Sequence, residues 1–294
     1  MNIAIIGSGG DGAGMNMCLY ELCKKLKHHN VILFYRGFQG LIDNSIANYS
    51  LNFLRDKKQD GGIIIKSSRS SEFMTEKGFN KAIKNLEKNN IGVLIVMGGN
   101  GSLCGVKKLA QAGVKCIFIP TTIDNDIKES DYSIGFDTAV CNAVDFVQKV
   151  DVSMQAFDRL CIYEVMGRHC PDIANCVGDI TNADYVYTSD STKKDCLNQI
   201  KKSIKKDLSP KIILQENVLP NEELKEYLSN NLKNVDVKVA VVGYVQRGGK
   251  ATKRELFMAS EFAETTVNSI KKMEFNRIVR FNKSINCFET INLL

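Results

Sequence analysis

Two carboxylates two residues apart, Asp124 and Asp126, stand in PTTIDNDI directly after the apolar run VKCIFI, with Thr122 beside them. On an extended segment residues two apart share a face, so both acids point the same way. Such a pair can accept a proton from an alcohol and offer oxygen ligands to Mg²⁺. Phosphoryl transfer to a hydroxyl makes both demands. The same residue types also build an Asp/Asn-rich turn that caps a helix, and taken alone they leave both readings open.

Glycine turns supply the second kind of chemistry. Residues 7–14 read GSGGDGAG, and Gly7, Gly9 and Gly12 satisfy G-x-G-x-x-G between an apolar run and a helix-period segment. Glycine lets the backbone approach a phosphate, and a helix N-terminus offers unpaired N–H groups. A dinucleotide site would also want an acid after the second strand. That run ends in Tyr35-Arg36, which leaves only an NADP reading or a ligand-free turn. A second turn, Gly98-Gly99-Asn100-Gly101-Ser102, follows another apolar run. Two such loops suit two phosphate-bearing ends of a site, and no GxxxxGK[ST] is present.

The elements that must position these loops are short apolar runs alternating with helix-period segments. The runs are 2–6, 31–35, 92–97, 114–119, 160–165, 211–216 and 237–245. Helical segments are expected at 15–27, 79–88, 102–111, 137–157, 171–181, 192–206, 221–230 and 253–272. Apolar runs bounded by glycine fit a sheet buried on both faces, and the alternation predicts an α/β fold with mainly parallel sheets. In such sheets ligands bind beyond the carboxyl ends of the strands, where all three motifs fall. We expect two Rossmann-like lobes, 1–136 and 137–260, with the active site in the cleft between them. The C-terminal segment 261–294 can return to the first lobe.

Composition narrows the function classes. The 294 residues are 44% hydrophobic and 24% charged, which excludes disorder. No apolar run reaches the length of a membrane span, and MNIAIIGSGG lacks the basic and apolar regions of a secretory signal. The net charge of +6 is not a nucleic-acid signature but suits an anionic substrate. The densest basic stretch, Lys193, Lys194, Lys201, Lys202, Lys205 and Lys206, reads as a solvated helix face. Ten cysteines include no C-x-x-C, and His169, Cys170 and Cys176 lack a second ligand pair for zinc. Small buried thiols in a reducing cytoplasm account for them.

The segments GGNGS, TIDNDI, SIGFDTA, EVMGRHC and GYVQRGG, in that order, resemble the 6-phosphofructokinases of the bacterial, ATP-dependent type. The resemblance runs from the first glycine loop to Gly249. It implies phosphoryl transfer from ATP, with Mg²⁺, to the 1-hydroxyl of fructose 6-phosphate. It places the donor at Gly10, Arg69, Ser70, Gly99, Asn100, Gly101 and Ser102, and the metal at Asn100 and Asp126. Thr122 and Asp124 match the reacting centre, with Asp124 as base, Ile123 matches a substrate-binding position between them, and Arg168 matches the group that stabilises charge on the phosphoryl group. Met166, Gly167 and Glu216 match groups that hold the sugar. Tyr244, Val245, Gln246 and Arg247 lie where the family approaches the 6-phosphate. Arg159 and Lys238 match groups that reach that phosphate from a neighbouring subunit, which implies a homo-oligomer, usually a tetramer. No nucleic acid or membrane partner is implied.

Departures from the family pattern carry their own expectations. Asn100 replaces the metal-loop aspartate, Lys238 an arginine and Tyr244 a histidine, and RGGKA lacks the family's proline. Tyr20 and Ser45 replace effector-site arginines, which argues against the usual nucleotide control. In the family an aspartate after the metal-loop residue and a lysine before TIDND favour pyrophosphate. Gly101 and Thr121 stand there instead, and glycine leaves room for the α-phosphate of ATP. The alternatives are a pyrophosphate-dependent or other ketose-phosphate kinase, or a non-catalytic regulatory member of the family.

Overall fold

Each of the seven apolar runs forms a strand in the computed structural model, which describes residues 1–205 and 209–294. Lys206, the last lysine of the basic stretch, lies outside the described residues. The chain begins with β1 (Asn2–Ser8), α1 (Met15–Lys25), β2 (Asn30–Phe34), α2 (Gly37–Asp43), β3 (Ile46–Ala47) and α3 (Leu51–Lys57). It continues through α4 (Glu76–Lys88), β4 (Ile91–Gly98), α5 (Asn100–Gln111), β5 (Cys116–Pro120), α6 (Phe136–Gln155), β6 (Arg159–Val165) and α7 (Asp172–Thr181). It ends with β7 (Tyr185–Tyr187), α8 (Lys193–Ile204), β8 (Lys211–Gln215), α9 (Asn221–Asn231), β9 (Asp236–Val241), α10 (Lys253–Lys271), β10 (Arg277–Asn282) and β11 (Cys287–Asn292).

Two units divide the chain: Met1–Asp137 with Gly249–Leu294, and Thr138–Gly248. The second boundary therefore falls at Gly248, not at the expected residue 260. Its cause is the apolar stripe of α10, whose Met258, Phe262 and Val267 join one buried cluster with Leu19 and Leu22 of α1. Gly249–Leu294 belongs to the first unit and adds two strands outside the apolar runs, β10 and β11.

In the first unit the sheet order is β11-β10-β5-β4-β1-β2-β3. The pairs from β10 through β5, β4 and β1 to β2 are parallel, whereas β10–β11 and β2–β3 are antiparallel. Side-chain alternation sorts the two faces. Ile3, Ile5, Val93, Ile95, Met97, Ile117 and Ile119 face α1 and α10, whereas Ala4, Ile6, Leu94, Val96 and Phe118 face the cluster of α2, α4 and α5. Both faces are covered, so the strands read as continuous apolar runs.

In the second unit the sheet is β7-β8-β6-β9, all parallel. Leu160 and Ile162 of β6 pack with Ile200 of α8 and with Leu224 and Leu228 of α9. The expected strand 237–245 ends at Val241, and residues Gly243–Arg247 form a 3-10 helix. Gly243 takes φ of +56°, which breaks the extended path there. No helix among the described residues is long and apolar enough to cross a membrane.

Candidate active site

Strands β5, β4 and β1 are neighbours, so the loops that leave their carboxyl ends lie side by side in the first unit. These loops are the three motifs: 121–126 after β5, 99–102 after β4 and 9–14 after β1. Gly9 has φ of +94°, and a methyl placed on it would stand 3.4 Å from Ser102 Oγ and 3.7 Å from Gly99 N. Two glycine loops thus share one surface. Gly99 precedes α5 in extended conformation without a side-chain cap. The first N–H of α5 with an intrahelical acceptor is that of Leu103, which donates to the Gly99 carbonyl at 3.0 Å. The amides of Asn100, Gly101 and Ser102 lie ahead of it, in the turn that suits an anion.

Segment 67–70 hangs on the first loop through Ser67 Oγ, which donates to the Gly9 carbonyl at 2.7 Å. Arg69 is exposed beside it. Ser70 spends its hydroxyl structurally, donating to Gln39 Oε1 at 2.6 Å and accepting from Phe73 N–H at 3.1 Å. A cavity of about 420 Å³ opens next to this segment, lined by Phe73, Met74, Phe79 and Lys108 among others.

Asp124 is buried at 6% exposure, and its N–H donates to Thr122 Oγ1 at 3.2 Å. Ile123 is 3% exposed, so its side chain belongs to the core and only its backbone can meet a ligand. Asn125 adopts φ of +53°, and its Oδ1 accepts from the Ser133 N–H at 2.9 Å. Ser133 Oγ donates to the Thr122 carbonyl at 2.7 Å. SIGFD therefore pins TIDND. A residue the motifs did not single out completes this frame: Glu255, fully buried, accepts from Tyr132 Oη at 3.0 Å and from Gly135 N–H at 2.8 Å. Burial pushes the Tyr132 hydroxyl well above its ordinary pKa, aided by the Glu255 charge.

Asn100 and Asp126 meet through the Asn100 side-chain amide, which donates to the Asp126 carbonyl at 3.1 Å. No group of three His, Cys, Asp or Glu side chains that could hold a metal ion occurs among the described residues. One carboxylate and one amide oxygen fit Mg²⁺, which keeps several waters and takes most remaining oxygens from substrate phosphates. They do not make an all-protein cage.

The second unit holds the other expected residues at two ends of one sheet. Loop Met166–Arg168 leaves β6, with Gly167 at φ of +141° and Arg168 at +52°. Glu216 Oε1 accepts from the N–H of Gly167 at 3.1 Å and of Arg168 at 2.9 Å. Gln246 is 1% exposed and accepts from Met166 N–H at 2.7 Å, so it holds the loop from within. Tyr244 is 82% exposed and Val245 is exposed beside it, with the Arg247 guanidinium 5.9 Å from the tyrosine ring centre. Asn142 anchors the 3-10 helix, donating to the carbonyls of Val245 and Gln246 at 3.2 Å and of Gly248 at 3.0 Å.

Arg159 opens β6 at the opposite end. Its Nε donates to Asp236 Oδ2 at 2.8 Å, and Lys238 Nζ donates to Asp236 Oδ1 at 2.9 Å. The Lys238 bond, then that of Arg159, holds the Asp236 carboxyl below its ordinary pKa. Sequence spacing did not mark Asp236, because only the pairing of β6 with β9 sets it opposite Arg159.

Comparison with known proteins adds the family. The phosphofructokinase family model matches residues 2–270. The ATP-dependent 6-phosphofructokinase of Oceanobacillus iheyensis is 34% identical over 290 residues, covering 96% of this chain and 90% of that one. That of Clostridioides difficile is 35% identical over 282 residues, covering 94% and 88%. Among solved structures, phosphofructokinase of Pichia pastoris in the T-state superposes with a TM-score of 0.91 at 25% identity, covering 99% of this chain and 35% of that one. With the motifs, the parallel sheets and these matches in agreement, the chain belongs to the phosphofructokinase family.

Proposed function

We propose that the chain transfers the terminal phosphoryl group of ATP to the 1-hydroxyl of fructose 6-phosphate, giving fructose 1,6-bisphosphate and ADP. The observation that carries this reading is the buried Asp124 carboxyl, set beyond β5 beside two glycine loops on the adjacent strands. Its named relatives are ATP-dependent enzymes.

Asp124 accepts the proton of the sugar hydroxyl as that oxygen attacks phosphorus. Thr122 holds the backbone of the base in register through its hydroxyl. The amides at 100–102 and Arg69 bind donor phosphates, and the cavity beside Phe73 and Phe79 takes the nucleoside. Arg168 supplies positive charge to the transferring group. Glu216 uses Oε1 on the loop amides, which leaves Oε2 to accept from a sugar hydroxyl. Asn100 and Asp126 would hold Mg²⁺, which when bound neutralises charge on the donor phosphates.

Arg159 opens β6, and Arg168 lies in the loop beyond its carboxyl end. The resemblance to the family supports a role for Arg159 and Lys238 on the phosphate bound by a second copy, in a homotetramer. Mixing Asp124→Ser chains with Lys238→Ala chains should restore activity in hybrid sites. The compartment is the cytoplasm, where buried thiols such as Cys18, Cys116 and Cys196 stay reduced.

A coupled assay with fructose 6-phosphate, comparing ATP with pyrophosphate, tests the activity. ADP formation dependent on the sugar is expected. Turnover with pyrophosphate alone would move the assignment to that donor. Sugar-phosphate binding without turnover on either donor would make the chain a regulatory member.

A further inference from the structure

Four backbone polar groups of the loop Met166–Arg168 are taken by side chains. Gln246 accepts from Met166, and Glu216 accepts from Gly167 and Arg168. The fourth bond comes from Gln215, whose Nε2 donates to the Arg168 carbonyl at 2.9 Å. Gln215 ends β8 and pairs with Val165, the last residue of β6, so it stands against the start of the loop.

Both glutamines are 1% exposed, and each commits one end of its amide to this loop. The other ends, Gln215 Oε1 and Gln246 Nε2, are buried with no partner among the described residues. A half-satisfied buried amide is unfavourable, and an apolar side chain of similar volume would remove that penalty while leaving only the Arg168 carbonyl without its donor. Core stability therefore does not account for glutamine at 215. The loop does. Arg168 sits at φ of +52°, where a long L side chain is rarely found, and only surrounding contacts keep it there.

We infer that Gln215 is a positioning residue for the phosphoryl transfer: by fixing the Arg168 carbonyl it sets the direction in which the guanidinium leaves the loop. The inference rests on the proposed role of Arg168. Gln215 itself is buried, so it acts through the loop and not directly on a substrate. Arg168 acts on charge that develops during transfer, so a misdirected guanidinium costs turnover more than binding.

The test uses the full chain. Gln215→Leu removes the donor and the unpartnered oxygen together. Expected are a fall in kcat on the order of tenfold to hundredfold, KM values for both substrates within about twofold, and a melting temperature close to that of the wild type, because the lost bond and the lost unpartnered oxygen offset each other. In an Arg168→Ala background the same change should have no further effect on kcat, because Gln215 acts only through Arg168. Gln215→Glu gives a second reading, since a buried carboxyl donates to the carbonyl only while protonated. Its kcat relative to wild type should rise as pH falls.

Hydrogen exchange at the amides of 166–168, measured without substrates, should speed up in Gln215→Leu. This readout separates the two claims. A wild-type chain without phosphoryl transfer would refute the activity, while faster exchange would still uphold the anchoring. Unchanged exchange, unchanged kcat, or fully additive losses in the double mutant would overturn the inference.

Discussion

The side-chain amide of Asn100 donates to the backbone carbonyl of Asp126 across 3.1 Å, joining the glycine turn after β4 to the acidic turn after β5. The contact places a neutral amide where a carboxylate would add a full charge. Asn100→Asp adds that charge beside the donor phosphates. If Mg²⁺ binds there, the Mg²⁺ concentration for half-maximal rate falls in the mutant. If the turn touches phosphate directly, the KM for ATP rises instead. We expect the first outcome, and a Mg²⁺ titration of both proteins distinguishes them. A raised donor KM with unchanged Mg²⁺ dependence would remove Asn100 from the metal site.

Asp124→Ser removes the proton acceptor while leaving the loop bonds of Ser133 and Asn125 in place. Turnover should fall on the order of 10²- to 10⁴-fold, the range of general base catalysis. The KM for fructose 6-phosphate should stay within about twofold. Steady-state kinetics check both, and near-normal kcat would falsify the assignment of the base.

Asp236 offsets part of the positive charge of Arg159 and Lys238. In Asp236→Asn the pair attracts a phosphate dianion more strongly. The KM for fructose 6-phosphate should fall about twofold to fivefold at low salt, the scale of an exposed ion pair, and the difference should shrink as salt rises. The sign with pH follows from the lowered carboxyl. The carboxylate is charged at neutral pH, so the contrast between mutant and wild type persists there. It disappears only as pH falls through the depressed value. A KM unaffected at low salt would detach this ion triad from substrate binding.

Thiol chemistry should divide by depth. Burial pushes Cys116 and Cys196 up to about 12, whereas Cys104 and Cys287 are exposed. Only the thiolate reacts. Alkylation at pH 8, mapped by mass spectrometry, should mark Cys104 and Cys287 within minutes and leave Cys116 and Cys196 unmodified until the protein unfolds. Early labelling of Cys116 would contradict the packing of the first core.

Much of this arrangement is legible in the sequence, for identifiable reasons. Ile3, Ala4, Ile5 and Ile6 are all apolar because β1 is covered on both faces, and the run survives as a local signal. Asp124 stood out because its motif is contiguous and ends a strand. Glu255 did not, since its partner Tyr132 lies 123 positions away and a lone acid in a helix-period segment looks solvated. Gln215 was hidden likewise: its partner is a backbone carbonyl, which leaves no trace in residue type. Strands β10 and β11 escaped because Arg280 and Glu289, paired at 2.6 Å, interrupt their apolar pattern.

The division of the chain has a bearing on its synthesis. Thr138–Gly248 is one uninterrupted stretch, but the unit around it is assembled from two, and its core needs Phe262 and Val267 from α10. A ribosome delivers those residues only after the inserted unit. The middle of the message therefore encodes the piece that can close first, and the opening 137 residues wait with one face of β1 uncovered by α10. Nascent chains stalled once Gly248 has left the exit tunnel should resist protease across the inserted unit while the earlier residues remain cleavable. Protection spreading from the amino end instead would show that α1 finds another cover before α10 arrives.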